Sequence, residues 1–227
     1  MLLTISDVID AAELARLRSL AAQARWESGL ATAGPQAAVV KNNRQIAEDS
    51  PELEQMRRIV LNALYRNPLV MSAALPARIL PPFFNRYGGR ENAYGAHVDN
   101  AIRATAEGYV RADVSATLFL SDPADYDGGE LVIHDTYAHH AVKLPAGSLV
   151  LYPCALVHEV TPVTRGERIA CFMFMQSLVR EAERRRLLFD MDMALIDLRA
   201  RLGEADGSVL RLTGVYHNLL RLWACPT

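Results

Sequence analysis

The sequence predicts an α+β fold whose centre is mainly β, a jelly roll or barrel with helices on either side. Three observations predict it. Between residues 77 and 180 short apolar runs alternate with Gly- and Pro-bearing turns, giving about eight strands of the length that rolled sheets use. On both sides of that region apolar residues recur at three- and four-residue spacing, the mark of amphipathic helices. His97, Asp99 and the distant His158 meet only if the chain returns to the same interior, which a rolled sheet does. The expected organisation is a helical support region over 1–76, the β core over 77–180 and a helical hairpin over 181–227.

Taken in order, Asp10 is placed to cap a helix over 11–24, with Leu14, Leu17, Leu20 and Ala21 as its apolar stripe. Gly34-Pro35 and the polar run 41–45 (KNNRQ) mark a loop or a short edge strand. Ser50-Pro51-Glu52 starts a second helix with Leu53, Met56, Val60, Leu61 and Leu64 on one face, and Asn67-Pro68 interrupts it. Strands are expected at 79–87, 96–100, 112–120, 129–135, 141–144, 148–152, 156–163 and 168–178. Turns at Asp127-Gly128-Gly129, Pro145-Ala146-Gly147 and Arg165-Gly166 divide them. Beyond them Leu188, Met191, Leu195, Leu198 and Leu202 draw one helical stripe. Asp206-Gly207-Ser208 breaks the chain before a last helix with Leu212, Val215, Tyr216, Leu219 and Trp223. This stripe is expected to pack internally or on the barrel, a homodimer through these helices being the alternative. Arg184-Arg185-Arg186 reads as a solvated face.

With 51% hydrophobic and 22% charged residues, the 227-residue chain can bury a substantial core. A net charge of −2 leaves no electrostatic footprint for nucleic acid or an anionic membrane. The opening segment meets Asp7 and Asp10 and has no basic region, so it does not read as a secretory signal. Cys154, Cys171 and Cys225 lack disulfide or zinc-site spacing, and a reducing, cytoplasmic setting is expected.

The chemistry lies in two segments, 86–100 (RYGGRENAYGAHVDN) and 158–168 (HEVTPVTRGER). In an extended strand residues two apart share a face, so His97 and Asp99 can aim at one point while Val98 turns outward. With His158 from another strand, two His and one carboxylate form the facial triad that holds non-haem Fe(II) with open positions. Arg168 opens an apolar strand. A guanidinium stays charged, so one facing a barrel interior needs an anion, and its fork matches a carboxylate.

On HVDN at 97–100, the stretches 115–137 and 143–153, and HEVTPVTRGER, the chain resembles the Fe(II)/2-oxoglutarate-dependent dioxygenases of prolyl-4-hydroxylase type. More narrowly it is similar to the bacterial PKHD-type hydroxylases linked with iron uptake. The resemblance implies a double-stranded β-helix (jelly-roll) core with one Fe(2+) per subunit on His97, Asp99 and His158. It implies that Arg168 binds the distal carboxylate of 2-oxoglutarate, that L-ascorbate keeps the iron reduced, and that no catalytic side chain beyond the metal centre is needed. Hydroxylation with release of succinate and carbon dioxide is the implied reaction. The implied partners are 2-oxoglutarate, dioxygen and a small-molecule or peptidyl substrate, selected by loops 90–94, 100–109 and 122–126. Tyr87 stands where relatives carry a tyrosine that touches the cosubstrate, the alternative being a barrel-lining aromatic. Phe119 stands where some carry a second tyrosine.

Other polar residues carry blander readings. His134, His139 and His140 are read as solvated hairpin residues, with a second metal site as the alternative, and His217 as a surface or helix-packing residue. Arg165 reads as an exposed strand-end arginine, and Cys154 as a buried inert thiol. Two other classes compete: a non-catalytic iron or oxygen sensor on the same fold, and a zinc hydrolase. The latter needs a general base, and Glu159 beside His158 should point to the opposite face.

Overall fold

Helical spacing at both ends and alternation between them divide this chain into covering helices and two facing sheets. The computed structural model describes residues 1–32 and 34–225. The chain begins with β1 (Leu3–Ile5), α1 (Ala11–Gln23), β2 (Trp26–Ser28), α2 (Pro35–Val40), β3 (Lys41–Asn42), β4 (Arg44–Ile46), α3 (Pro51–Arg66) and α4 (Pro68–Ala74). It continues through β5 (Pro76–Ile79), β6 (Phe83–Tyr87), β7 (Ala93–His97), β8 (Ile102–Thr105), β9 (Gly108–Arg111), β10 (Val114–Phe119), β11 (Tyr126–Gly128) and β12 (Leu131–His134). Then come β13 (His139–Val142), β14 (Leu149–Pro153), β15 (Val157–Val160), β16 (Val163–Gly166) and β17 (Arg168–Ser177). Two helices follow, α5 (Ala182–Leu202) and α6 (Gly207–Trp223).

The larger sheet runs β1-β14-β10-β17-β6-β4-β2, with β5 also on β17, and the smaller runs β13-β12-β15-β7-β3. All the pairings are antiparallel, which gives the expected jelly-roll arrangement. The outer face of the larger sheet is sealed by α1 and α3, where Leu17, Met56 and Leu64 pack with Phe84, Leu118 and Met173. Such fully buried side chains stabilise by roughly 1.5–3 kcal/mol each, and Leu64→Ala would cost about 2–5 kcal/mol. β10 alternates between the two faces of this sheet: Val114, Ala116 and Leu118 serve the outer core, while Phe119 joins the cluster between the sheets and Ser115 and Thr117 line the cavity there.

Local signals explain the helix ends. Asp10 accepts from the Glu13 backbone N–H while the Glu13 carboxylate accepts from Asp10 N–H, closing a capping box on α1. Asn67 ends α3 and accepts from Leu69 N–H and Val70 N–H at the start of α4.

Several elements depart from the sequence expectation. The first 76 residues are not only helical, since β1, β2, β3 and β4 join the two sheets. Strands of two or three residues are too short to show a period. Pro81 and Pro82 divide the strand expected at 79–87 into β5 and β6, because proline cannot donate to the ladder. The run 156–163 divides into β15 and β16. The hairpin β8-β9 occupies most of the loop expected at 100–109, runs on to Arg111 and forms a two-stranded sheet of its own.

At the C-terminus Leu188 and Leu195 are buried with Tyr216, and α5 packs on α4 and α6. Leu202 lies at the exposed end of the stripe. Arg185 corrects the reading of 184–186 as a solvated face. It is buried, and its Nη1 donates to Val179 O and Arg180 O, so it binds the carbonyls that enter α5.

Candidate active site

The site lies between the two sheets, on the interior strands β15 and β7 of the smaller one. β7 and β15 are paired so that His97 stands directly opposite His158. Each imidazole is held the same way: Nδ1 lies 2.9 Å from Gly95 O for His97 and 3.0 Å from Leu156 O for His158. A carbonyl only accepts, so Nδ1 carries the proton and Nε2 keeps its lone pair, the arrangement that orients a metal ligand. Burial, together with neighbouring His158, pushes the His97 imidazole down to about 4, so it is neutral at physiological pH.

Asp99 falls two residues beyond the end of β7 rather than inside the strand expected at 96–100, and Val98 between the pair faces solvent. Its carboxylate is fixed by Ser115 Oγ, which donates to Oδ2 over 2.7 Å. Ser115 also touches Cys154 Sγ at 2.9 Å, and burial pushes that thiol up to about 12, so it is an inert neighbour. The three candidate ligands each offer an atom within 4.8 Å of the others, and His158 Nε2 is 3.6 Å from Asp99 Oδ2. Two neutral nitrogens and one anionic oxygen suit a divalent transition metal.

Arg168, the first residue of β17, pairs with Tyr87 of β6. It is 1% exposed, and its Nε and Nη1 are buried without a hydrogen-bond partner among the described residues. The guanidinium carbon lies 5.3 Å from the Tyr87 ring and 5.2 Å from the Phe119 ring. Cation–π contact of this kind supplies about 1 kcal/mol each, far less than an unpaired buried charge costs. Arg168 and the triad line one cavity. A buried fork with free N–H groups fits a carboxylate as the missing partner.

Matches with known proteins agree with this chemistry. PKHD-type hydroxylases of Azoarcus sp. strain BH72 and of Nitrosomonas europaea are each 62% identical, with 99% of each chain covered. This chain belongs to the PKHD-type hydroxylase family. Residues 82–176 match the 2OG-Fe(II) oxygenase superfamily, and 183–224 match the PKHD-type hydroxylase C-terminal domain. The fold is similar to a prolyl hydroxylase of Trichoplax adhaerens at TM-score 0.55 and 15% identity, covering 82% of this chain and 86% of that one. It is also similar to SnoK, a non-haem α-ketoglutarate-dependent carbocyclase of nogalamycin biosynthesis, at TM-score 0.56 and 16% identity, covering 78% and 80%. The hydroxylase is a 2-oxoglutarate-dependent dioxygenase that uses Fe(2+) and dioxygen. The enzyme reading therefore stands over the sensor.

Other residues of the hydroxylase fall on either side of this cavity. Tyr87 is fully buried beside Arg168, and its hydroxyl accepts from Asn85 Nδ2 at 3.3 Å. Burial raises its pKa and the neighbouring Arg168 opposes the rise. Glu159 points away, as expected, and its Oε1 lies 3.2 Å from His134 Nε2. His134 Nδ1 meets His139 Nδ1 at 2.7 Å, so Glu159 and His139 use opposite nitrogens of His134 and the three do not converge on one point. His140 and His217 are exposed, and Arg165 pairs with Asp127 at the surface. No helix among the described residues is long and apolar enough to cross a membrane.

Three groups of cavity residues were missed from sequence. Tyr94 stacks on His97 with ring centroids 3.6 Å apart. Strict alternation puts residues three apart on opposite faces, but β7 carries a bulge, so 94 and 97 face the same way. Gly95 was the available signal, since glycine inside a strand marks a bulge or a close backbone approach. Ser115 alternates with Val114 and Ala116 in β10, as Thr117 does with Ala116 and Leu118, and that two-residue period was its available signal. Lys41, Asn43 and Gln45, read as a polar loop or edge strand, line the cavity.

Proposed function

We propose that His97, Asp99 and His158 hold the iron of this dioxygenase and that Arg168 binds the distal carboxylate of 2-oxoglutarate. The observation that carries the reading is a buried arginine with unpaired N–H groups, in one cavity with three converging metal-ligand side chains. Ascorbate serves to keep the metal reduced. The three-part organisation, with a support region over 1–76, the core over 77–180 and a closing hairpin over 181–227, goes with this reading, as does a cytoplasmic setting. A link with iron uptake rests on family resemblance alone.

When bound, Fe(2+) and 2-oxoglutarate supply the oxidising power for hydroxylation, releasing succinate and carbon dioxide. The chain's own residues prepare the place. His97 and His158 offer Nε2 because their Nδ1 protons are committed to Gly95 O and Leu156 O. Ser115 restrains the Asp99 carboxylate so that it need not reorganise on binding metal. Tyr87 and Phe119 keep water from the Arg168 guanidinium, which strengthens its pairing with a carboxylate.

Asp99→Ala tests the triad. Loss of Fe(2+) binding and of 2-oxoglutarate turnover is expected, whereas full activity with bound iron would rule the assignment out.

A further inference from the structure

The polar run KNNRQ and the hairpin β8-β9 put a second set of buried polar groups into the same cavity. Lys41 is 7% exposed, and its ammonium donates to Thr32 Oγ1 at 2.8 Å. The Thr32 hydroxyl donates a hydrogen bond to Gln45 Oε1 at 2.7 Å, and Gln45 Nε2 is buried without a partner among the described residues. Asn43 between them is 3% exposed, and both polar atoms of its amide are unpaired. A Cβ on Gly29 would stand 2.0 Å from Asn43 Oδ1, so the glycine makes room for that side chain. From the other side Arg103 brings a buried, unpaired Nε, its guanidinium carbon 3.6 Å from the Phe174 ring centroid.

The charges do not balance. Among the described residues lining the cavity, Lys41, Arg103 and Arg168 are positive and Asp99 is the one carboxylate. Fe(2+) and doubly negative 2-oxoglutarate cancel each other, and Asp99 offsets one cation. Two positive charges remain, in a site where desolvated charge is costly unless it is paired. Burial, with Arg103 nearby, pushes the Lys41 ammonium down to about 8, so it is still mostly charged near neutral pH. The unpaired atoms around it are mainly donors, which suits an anion rich in acceptors.

We propose that Lys41 and Arg103 form the recognition site for a carboxylate on the hydroxylated substrate, with the amides of Asn43 and Gln45 binding polar groups beside it. This rests on the dioxygenase assignment of the cavity. It names the substrate class: a carboxylate-bearing molecule, whether a small acid or an acidic residue of a peptide. Lys41 reaches the site beside Tyr94, its ammonium 5.3 Å from that ring, and Tyr94 stacks on His97. The anchored carboxylate therefore sits next to the metal ligands rather than at the Arg168 end.

The test uses the intact protein loaded with Mn(2+) and saturating 2-oxoglutarate, followed by ¹⁹F NMR relaxation of trifluoroacetate and of its neutral counterpart trifluoroacetamide. Manganese-dependent relaxation is expected for the anion, with apparent affinity about tenfold above that of the amide. Arg103→Met should remove about tenfold of that affinity, and because Arg103 lies on a separate two-stranded hairpin the main sheets stay intact. Lys41→Met should do the same. Equal relaxation of the amide, or an unchanged anion effect in both variants, would overturn the proposal. Competition by N-acetylaspartate and by a blocked tripeptide containing one Asp separates the two sources. Displacement by either supports the site, and displacement by neither overturns it. Failure of the dioxygenase assignment looks different, because 2-oxoglutarate would then give no thermal stabilisation of the manganese-loaded wild type.

Discussion

Replacing Arg168 by Met should separate ligand binding from stability. In the free protein Arg168 is 1% exposed with Nε and Nη1 unpaired, held by cation–π contacts to Tyr87 and Phe119. Losing those two contacts costs about 2 kcal/mol in all, less than the several kcal/mol, on the order of 3, that removing an unpaired buried charge gains back. Metal-free stability should therefore hold or rise, with no fall in Tm. With 2-oxoglutarate the effect is one-sided. Two hydrogen bonds to a charged group are worth about 1.5–3 kcal/mol each, so affinity should fall by about 10²–10⁴-fold.

The assay is thermal unfolding with Mn(2+), with and without 2-oxoglutarate at about 100 times the wild-type Kd. Linkage gives the wild type about 2.7 kcal/mol, or about 5–11 °C, and the variant essentially nothing at the same concentration. A variant that keeps the full 2-oxoglutarate-dependent rise would refute the role of Arg168.

Further outcomes follow from the same geometry. Ser115→Ala removes the 2.7 Å bond to Asp99 and should weaken Fe(2+) binding by about 10–100-fold with the fold intact, as read by metal titration. Gly129 has φ +66°, and a Cβ there would lie 2.8 Å from Val163 Cγ2 and 3.1 Å from Arg168 Cδ. Gly129→Ala should therefore destabilise by about 1–3 kcal/mol and raise the KM for 2-oxoglutarate, measured by denaturant unfolding and succinate release. The His97 pKa of about 4 lies below the unfolded value of about 6.5. The unfolded chain takes up that proton first, so metal-free stability is full above pH 6.5, falls on the way to pH 4 and levels off below. The total is on the order of 3 kcal/mol, and His97→Gln should lack this component when unfolding is followed against pH.

What the sequence revealed depended on whether a signal was local. The pairing of His97 with Asp99 was legible because two-residue spacing is a property of any extended segment, even though Asp99 proves to lie past the strand end. The capping box at Asp10 and the proline break at Asn67 were legible for the same reason. Tyr94 was not, because one extra residue in β7 reverses the face on which it lies. Lys41, Asn43 and Gln45 fall in a run read as a loop or short edge strand, and their place in the cavity was hidden because polarity alone does not distinguish an edge facing water from one facing a cavity. Arg185 was misread through its two exposed neighbours, and only the return of the chain before α5 shows which carbonyls it binds.

The central claim is that this cavity binds iron on His97, Asp99 and His158 and 2-oxoglutarate on Arg168. The most direct measurement is succinate release and oxygen consumption by anaerobically purified protein given Fe(2+), ascorbate and 2-oxoglutarate, with Arg168→Ala in parallel. Slow substrate-independent turnover in the wild type that vanishes in the variant is predicted. Turnover that persists undiminished in Arg168→Ala at low 2-oxoglutarate would contradict it.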